Sequence, residues 1–558
     1  MKSCPSLTLG FANKCFALCI KSTDSTMSSS NSANPASKRP AALLVGVCLF
    51  AFALTLWWLA KAKWPLGVAG EWQIKPAEGA WPAQAWGLPL AVIFIFGGLA
   101  ALSAYDRFKR AKSDKERRGS TRLCILGLTI VAFTLPWALL GPGGTTNLVS
   151  SQFSDISNEY FGTAYQIQNP RDFSRDYATK HQTPQSAVQA HAATHPPGAI
   201  LFYYFAQRVY EGSPLLQSTF ETIAVSLTNE TIPQIAKQAN DLRLSAERSA
   251  GVKNPDPPLP GTAVGAAVWC AFLISLLLAS CVPATYFIAS IAHWEGSAEI
   301  DEARGMSAAA LLALAPVLSL FAFSLDALIA CGAAWTMAFI ALRLRGGKPV
   351  WLALAGLMMA LTSFVSFGAL AIGAIAVIAL GFAKRESIAK EIGVFTAGFV
   401  LAWLLLMLIL PMQPLAIFLN AMQAHRFATV ESRSRGAWLW MNIVSYAVFC
   451  GWPLFLAALG GGFGFCRDAL QKRLSKPFNI PVVIGVAALL TMLLLTLSGS
   501  AKGEVERLWL FLTPSLATVA AAYLLQRANW PGIAILLILQ AAQTVAMAAW
   551  LAPLVLPL

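Results

Sequence analysis

The ionisable residues of this chain fall into a few short clusters, and their types point to one kind of chemistry. The first cluster is Asp155-Ile156-Ser157-Asn158-Glu159-Tyr160-Phe161-Gly162, directly after an apolar run, with Asp172 and Asp176 close behind. His191 and the tetrad His195-Pro196-Pro197-Gly198 follow, just where the sequence turns apolar again. Later come Asp326, the pair His425-Arg426, then Arg433-Ser434-Arg435, and finally Lys502-Gly503-Glu504-Val505-Glu506-Arg507-Leu508-Trp509. A carboxylate can take the proton of an alcohol, which is a weak nucleophile at neutral pH. Arginine forks can hold a departing phosphate. The two together suit group transfer from a phosphate to a hydroxyl.

Each residue also has a plainer explanation. Glu159 could be a solvated loop acid, and His195 could pack on Pro196 or cap the helix that follows. Asp326 could cap a helix with its carboxylate on free amides. Arg433 and Arg435 could be interfacial anchors, and Glu504, Glu506 and Arg507 could form a local salt bridge. Any one of these readings is ordinary; four clusters on one side of a membrane are harder to dismiss. Ionisable groups cost about 2.5–3.5 kcal/mol each at the centre of a membrane helix and tend to mark functional sites there.

The elements that must position these residues are membrane spans. Of 558 residues, 56% are hydrophobic and 12% charged, against about 25% charged in a soluble chain. Apolar runs near 41–60, 85–105, 123–142, 262–291, 306–324, 326–342, 350–366, 367–383, 392–411, 438–465, 479–498, 508–525 and 530–553 give about 13 spans, within a range of about 11–14. The expected fold is an all-α polytopic membrane protein with a large outer loop carrying short helices. Residues 1–40 read as a disordered cytoplasmic leader, with Met27 an alternative start, and 41–142 as three transmembrane helices. Residues 143–261 form the outer loop, and 262–558 hold about ten further transmembrane helices. The section 198–210 is too short to cross, and 215–260 reads as one or two soluble helices.

The net charge of +14 could suggest nucleic acid, but its distribution argues against that partner. Eight basic residues crowd into 107–122, with smaller groups at 343–348, 384–390 and 467–476. Such loops mark cytoplasmic connections. They put the N-terminus inside and residues 143–261 on the outer face, as expected of a multi-pass protein of the plasma (inner) membrane. The acidic stretch 293–304 also falls inside, against the grain of the basic loops. None of the ten cysteines lies between 143 and 261, so neither a disulfide framework nor a zinc spacing is expected.

The layout resembles the GT-C membrane glycosyltransferases, among them the protein O-mannosyltransferases, the aminoarabinose transferases and the RgtA-like bacterial enzymes. Asn158-Glu159-Tyr160-Phe161-Gly162 is similar to their acidic-pair motif and His195-Pro196-Pro197-Gly198 to the motif that closes their first large outer loop. Ser324-Leu325-Asp326 resembles the Leu-Asp at a later span start, and the 503–509 string with Pro514 their late outer-loop element. The resemblance implies transfer of a sugar from a polyprenyl-phosphate carrier to a glycan, lipid or protein acceptor. It makes Glu159 the favoured base, with Asp155, Asp172 and Asp176 as alternatives. His191, His195, Asp326, Arg426, Arg433, Arg435, Lys502, Glu504 and Arg507 become the substrate-binding set. Arg433 or Arg435, with Arg507, would hold the carrier phosphate, and a divalent metal is an open question.

Two departures keep other readings alive. The first acidic position of the motif is Asn158 here, and two extra spans precede the loop. The RgtA-like comparison therefore fits better than the O-mannosyltransferase one. A transporter or lipid flippase, or a non-catalytic subunit of an envelope-assembly complex, are the competing classes.

Overall fold

The computed structural model describes residues 39–61, 66–74, 76, 83–110, 113–141, 144–182, 191–249, 251, 257–291, 298–471 and 479–551. The leader, apart from its last residues, lies outside them. The chain is an all-α membrane protein. Its only sheet among the described residues is a short antiparallel hairpin, Leu66–Gly67 with Gln73–Ile74, in which Leu66 pairs with Ile74.

Nine helices among the described residues are long and apolar enough to cross a membrane: Ala42–Lys61, Gly87–Phe108, Lys115–Ala138, Thr262–Ser290, Asp326–Leu344, Ile388–Ile409, Ile480–Ser498, Val505–Arg527 and Trp530–Leu551. The number rises to ten if one bent pair counts as a span, against the roughly 13 expected from apolar runs. The difference has local causes. Runs 350–366 and 367–383 form the shorter helices Val350–Val365 and Phe367–Ala383. Run 306–324 is interrupted between Ala298–Ala313 and Pro316–Leu320, because proline cannot donate to the preceding turn. Run 438–465 is split into Arg435–Cys450 and Trp452–Leu470, bent by 119° at the break. Between the third and fourth of the nine long helices, Ser213 caps Pro214–Thr228, Asn229 closes that helix in the left-handed region, and Ile232–Ser249 follows.

Both breaks free backbone groups inside the protein, where water cannot satisfy them. The helix Trp530–Leu551 supplies the missing partners from one polar stripe. Gln540 Nε2 donates to Cys450 O (2.9 Å) and Gln543 Nε2 to Val448 O (2.7 Å). The amide of Trp452 donates back to Gln543 Oε1 (3.1 Å), and Thr544 Oγ1 donates to Leu314 O (2.6 Å) beside the other break. Gly451 turns the chain at φ 91°, and a Cβ there would meet the Gln540 amide at 2.3 Å. Gln543→Leu is therefore expected to strand one carbonyl and one amide, destabilising the fold by about 2 kcal/mol. The thermal unfolding midpoint in detergent reads this out; an unchanged midpoint would mean the break does not depend on Gln543.

The loops gather at two ends. At one, Arg107 pairs with Glu302 (2.5 Å), Arg117 with Glu299 (3.6 Å) and Arg343 with Glu391 (2.5 Å). Two carboxylates of the acidic segment thus sit against the basic stretch 107–122, which accounts for acids at a basic end. At the other end the hairpin 66–74 meets Ser434, Trp438 and Glu506, and the 144–182 segment meets residues 417–420.

Candidate functional site

The site begins at a kink. The helix Asp155–Gln166 leaves helical geometry at Asn158 (φ −155°, ψ 62°). The Asn158 side chain is buried, and its Nδ2 donates to Gln152 Oε1 (2.6 Å) and Tyr203 Oη (3.0 Å). Gln152 in turn donates to Phe323 O (3.3 Å). A carboxylate at 158 could accept from the Tyr203 hydroxyl but has no hydrogen to give to Gln152 Oε1, whose own amide is engaged with Phe323 O, which is a physical reason for an amide where the resemblance would put an acid.

Just after the kink the segments around Glu159 and His195 lock together. Glu159 Oε2 accepts from the amide of Ala192 (2.8 Å), and Tyr160 Oη lies 3.0 Å from His195 Nδ1. Tyr177 Oη donates to Ala192 O (2.7 Å) and His195 O (3.0 Å). Thr194 Oγ1 lies 3.0 Å from the same His195 nitrogen. Gly198 then packs directly on the end of Val350–Val365, where a Cβ would meet Phe364 O at 2.1 Å. Burial pushes the Tyr160 hydroxyl well above the usual tyrosine range; Arg507 pulls the other way, and Glu159, Asp326 and Tyr177 add to the rise. Burial, with Glu159 adding to it, does the same to Tyr177. Tyr160 is thus within electrostatic reach of both Glu159 and the Asp326–Arg507 pair.

That pair belongs to a chain of four alternating charges. Asp326, at the start of Asp326–Leu344, lies 3.5 Å from Arg507 Nη1. Arg507 Nη2 donates to Glu504 Oε2 (2.7 Å), and Arg433 Nη2 donates to Glu504 Oε1 (2.8 Å). Arg433 also donates to Lys502 O, and Lys502 Nζ donates to Val430 O (2.6 Å) and Arg433 O (2.7 Å). The turn that makes this possible uses positive φ at Gly503 (82°) and at Glu504 itself (58°). Asn442 fixes it, donating to Ala501 O (2.7 Å) and accepting from Gly503 N (3.1 Å). The local Glu504–Arg507 salt bridge does form, but it reaches on to Asp326 and Arg433.

The remaining sequence candidates go elsewhere. Asp172 pairs with Arg175, and Asp176 accepts from Lys180 (2.7 Å), both exposed. The Lys180 hydrogen bond holds the Asp176 carboxyl below the usual carboxylate range. Arg426 is exposed and pairs with Glu431 (2.8 Å), and Arg435 donates to Leu497 O (2.8 Å). Neither joins the chain of four charges. The side chains of Asp155 and His191 lie outside the described residues.

Three residues that sequence reasoning left out of the site belong beside it. Trp72 Nε1 donates to Glu506 Oε1 (2.8 Å), and the Arg433 guanidinium sits 5.8 Å from the Trp72 ring. Glu71 accepts from the amide of Ser434 (2.9 Å) and from Trp438 Nε1 (2.5 Å). Burial works upward on the Glu71 carboxyl, but those two donors hold it below the usual range. Glu506 is buried, and its Oε2 has no hydrogen-bond partner among the described residues. The one available signal was Glu506 inside the quoted 502–509 string; nothing local tied Glu71 or Trp72 to it.

Among the described residues, no three of His, Cys, Asp and Glu stand close enough together to hold a metal ion. No family model, no characterised protein and no solved structure matches the chain.

Proposed function

We propose that this protein is a GT-C-type glycosyltransferase of the plasma membrane, moving a sugar from a polyprenyl-phosphate carrier to an acceptor at the outer face. One observation carries the reading. Glu159 and His195, which the sequence separates, are bonded through one small unit, and its Tyr160 lies within electrostatic reach of Arg507 and Asp326. The reaction needs a carboxylate to take a proton and cations to receive the phosphate, and Glu159 and the Arg507–Arg433 pair supply the two types. In this reading Glu159 takes the acceptor hydroxyl proton as the new bond to the sugar forms. The sugar–phosphate bond breaks, and the phosphate leaves onto Arg433 and Arg507, with Asp326 orienting Arg507. The hydrogen bond from Ala192 fixes the Glu159 carboxylate.

The helix breaks at Pro316 and Gly451 favour a second reading, a carrier or lipid flippase, since such proteins use broken spans to bind ions. Here Gln540, Gln543 and Thr544 bind backbone groups freed at the breaks, which weakens that reading.

The orientation has its own test. Lys237, exposed on the helix Ile232–Ser249, is expected on the outer face. In a cysteine-free background, Lys237→Cys should react with an impermeant maleimide in intact cells. Reaction only after permeabilisation would put the charged cluster inside and remove the proposed reaction.

A further inference from the structure

Glu504 is an odd member of a phosphate-binding group, because it is an anion lodged between the two cations that would bind one. Its two oxygens bridge them, Oε1 to Arg433 (2.8 Å) and Oε2 to Arg507 (2.7 Å). Two oxygens of a phosphate would take the same forks with the same geometry. The Glu504 backbone stands at φ 58°, a conformation that disfavours a residue with a side chain by about a factor of ten or more. The contact is therefore held against a local preference.

Each arginine also has a second partner that does not depend on Glu504. Arg507 keeps Asp326 at 3.5 Å; Arg433 keeps the carbonyl of Lys502 and the Trp72 ring. If the carboxylate swings away, both guanidiniums stay in place with a gap between them. Charge balance points the same way. Asp326, Arg507, Glu504 and Arg433 sum to zero, and an arriving phosphate restores the negative charge that Glu504 removes, so no uncompensated cation is left in a partly buried site.

We propose that Glu504 is an internal counter-anion that occupies the phosphate position between Arg433 and Arg507 and yields it to the phosphate group of the lipid donor. The assignment rests on the transferase reading for the identity of the donor, and on the geometry for the competition. It makes Glu504 an autoinhibitory contact that keeps two arginines paired while no donor is bound.

The test measures binding of polyprenyl monophosphate, and separately of inorganic phosphate, to protein in lipid nanodiscs. Glu504→Gln keeps the shape and removes the charge; Glu504→Gly also removes the conformational penalty. Both variants are expected to bind polyprenyl monophosphate about ten-fold more tightly than wild type, or better. A gain with inorganic phosphate as well assigns the effect to the phosphate alone; a gain only with the lipid assigns it to the carrier. Equal or weaker binding of both probes in both variants would overturn the proposal and leave Glu504 as a residue that positions the arginines. The transferase reading is judged separately: tighter binding by the variants with no sugar transfer by wild type would keep the role of Glu504 and discard the reaction.

Discussion

Glu159→Gln is expected to lose about 10²–10⁴ in transfer rate, the usual loss for a general base. The amide oxygen of glutamine can still accept from Ala192, which Glu159 Oε2 does at 2.8 Å, so the unit around Glu159 and His195 should stay folded. Asp172→Asn and Asp176→Asn are expected to stay within a few-fold of wild type, because both carboxylates are exposed and locally paired. If Glu159→Gln stays near wild type while Asp155→Asn is dead, the base is Asp155 and the enzyme class survives. If all four variants remain active, the transferase reading fails.

Arg507→Ala is the second large effect. Arg507 is the shared partner of Asp326 and Glu504, and its removal leaves two carboxylates of low exposure, 9% and 18%, without their common cation. Breaking a charge-paired, hydrogen-bonded contact of this kind costs about 2–5 kcal/mol, so the unfolding midpoint should fall. The apparent Michaelis constant for the lipid donor should rise by about ten-fold or more. Arg507→Lys keeps the charge but not the fork; it is expected to restore stability more than donor affinity, a split that a merely structural role would not give. Arg435→Ala should change neither, since among the described residues Arg435 donates to Leu497 O and does not join the charge chain. Unchanged donor affinity in Arg507→Ala and Arg433→Ala would leave both arginines as anchors.

The membrane class was readable in the sequence because hydropathy reports apolar length directly. Helix breaks were less readable: the run around Gly451 is apolar enough overall to pass for one span, and its bend depends on Gln540 and Gln543 about ninety residues away. Alternation of basic loops brought the motif residues to one side on paper, and the contacts of Glu159 with Ala192 and of Arg507 with Asp326 bring several of them together. The pairing of Asp172 with Arg175 and of Asp176 with Lys180 follows helical spacing and was available from the sequence. The part played by Asn158 was not, because its partners Gln152 and Tyr203 lie on different elements. Glu71 and Trp72 were invisible for the same reason: their partners are Ser434, Trp438 and Glu506, more than 360 residues along the chain.

The most direct measurement follows a labelled sugar. Polyprenyl-phosphate sugars extracted from the native membrane, labelled in the sugar, are supplied to wild type and to Glu159→Gln in proteoliposomes that hold an extract of native acceptors. The account predicts that wild type moves the label from the carrier to an acceptor and that Glu159→Gln does so at least about a hundred-fold more slowly. A label that stays on the carrier with wild type, whether or not the carrier crosses the bilayer, would contradict it.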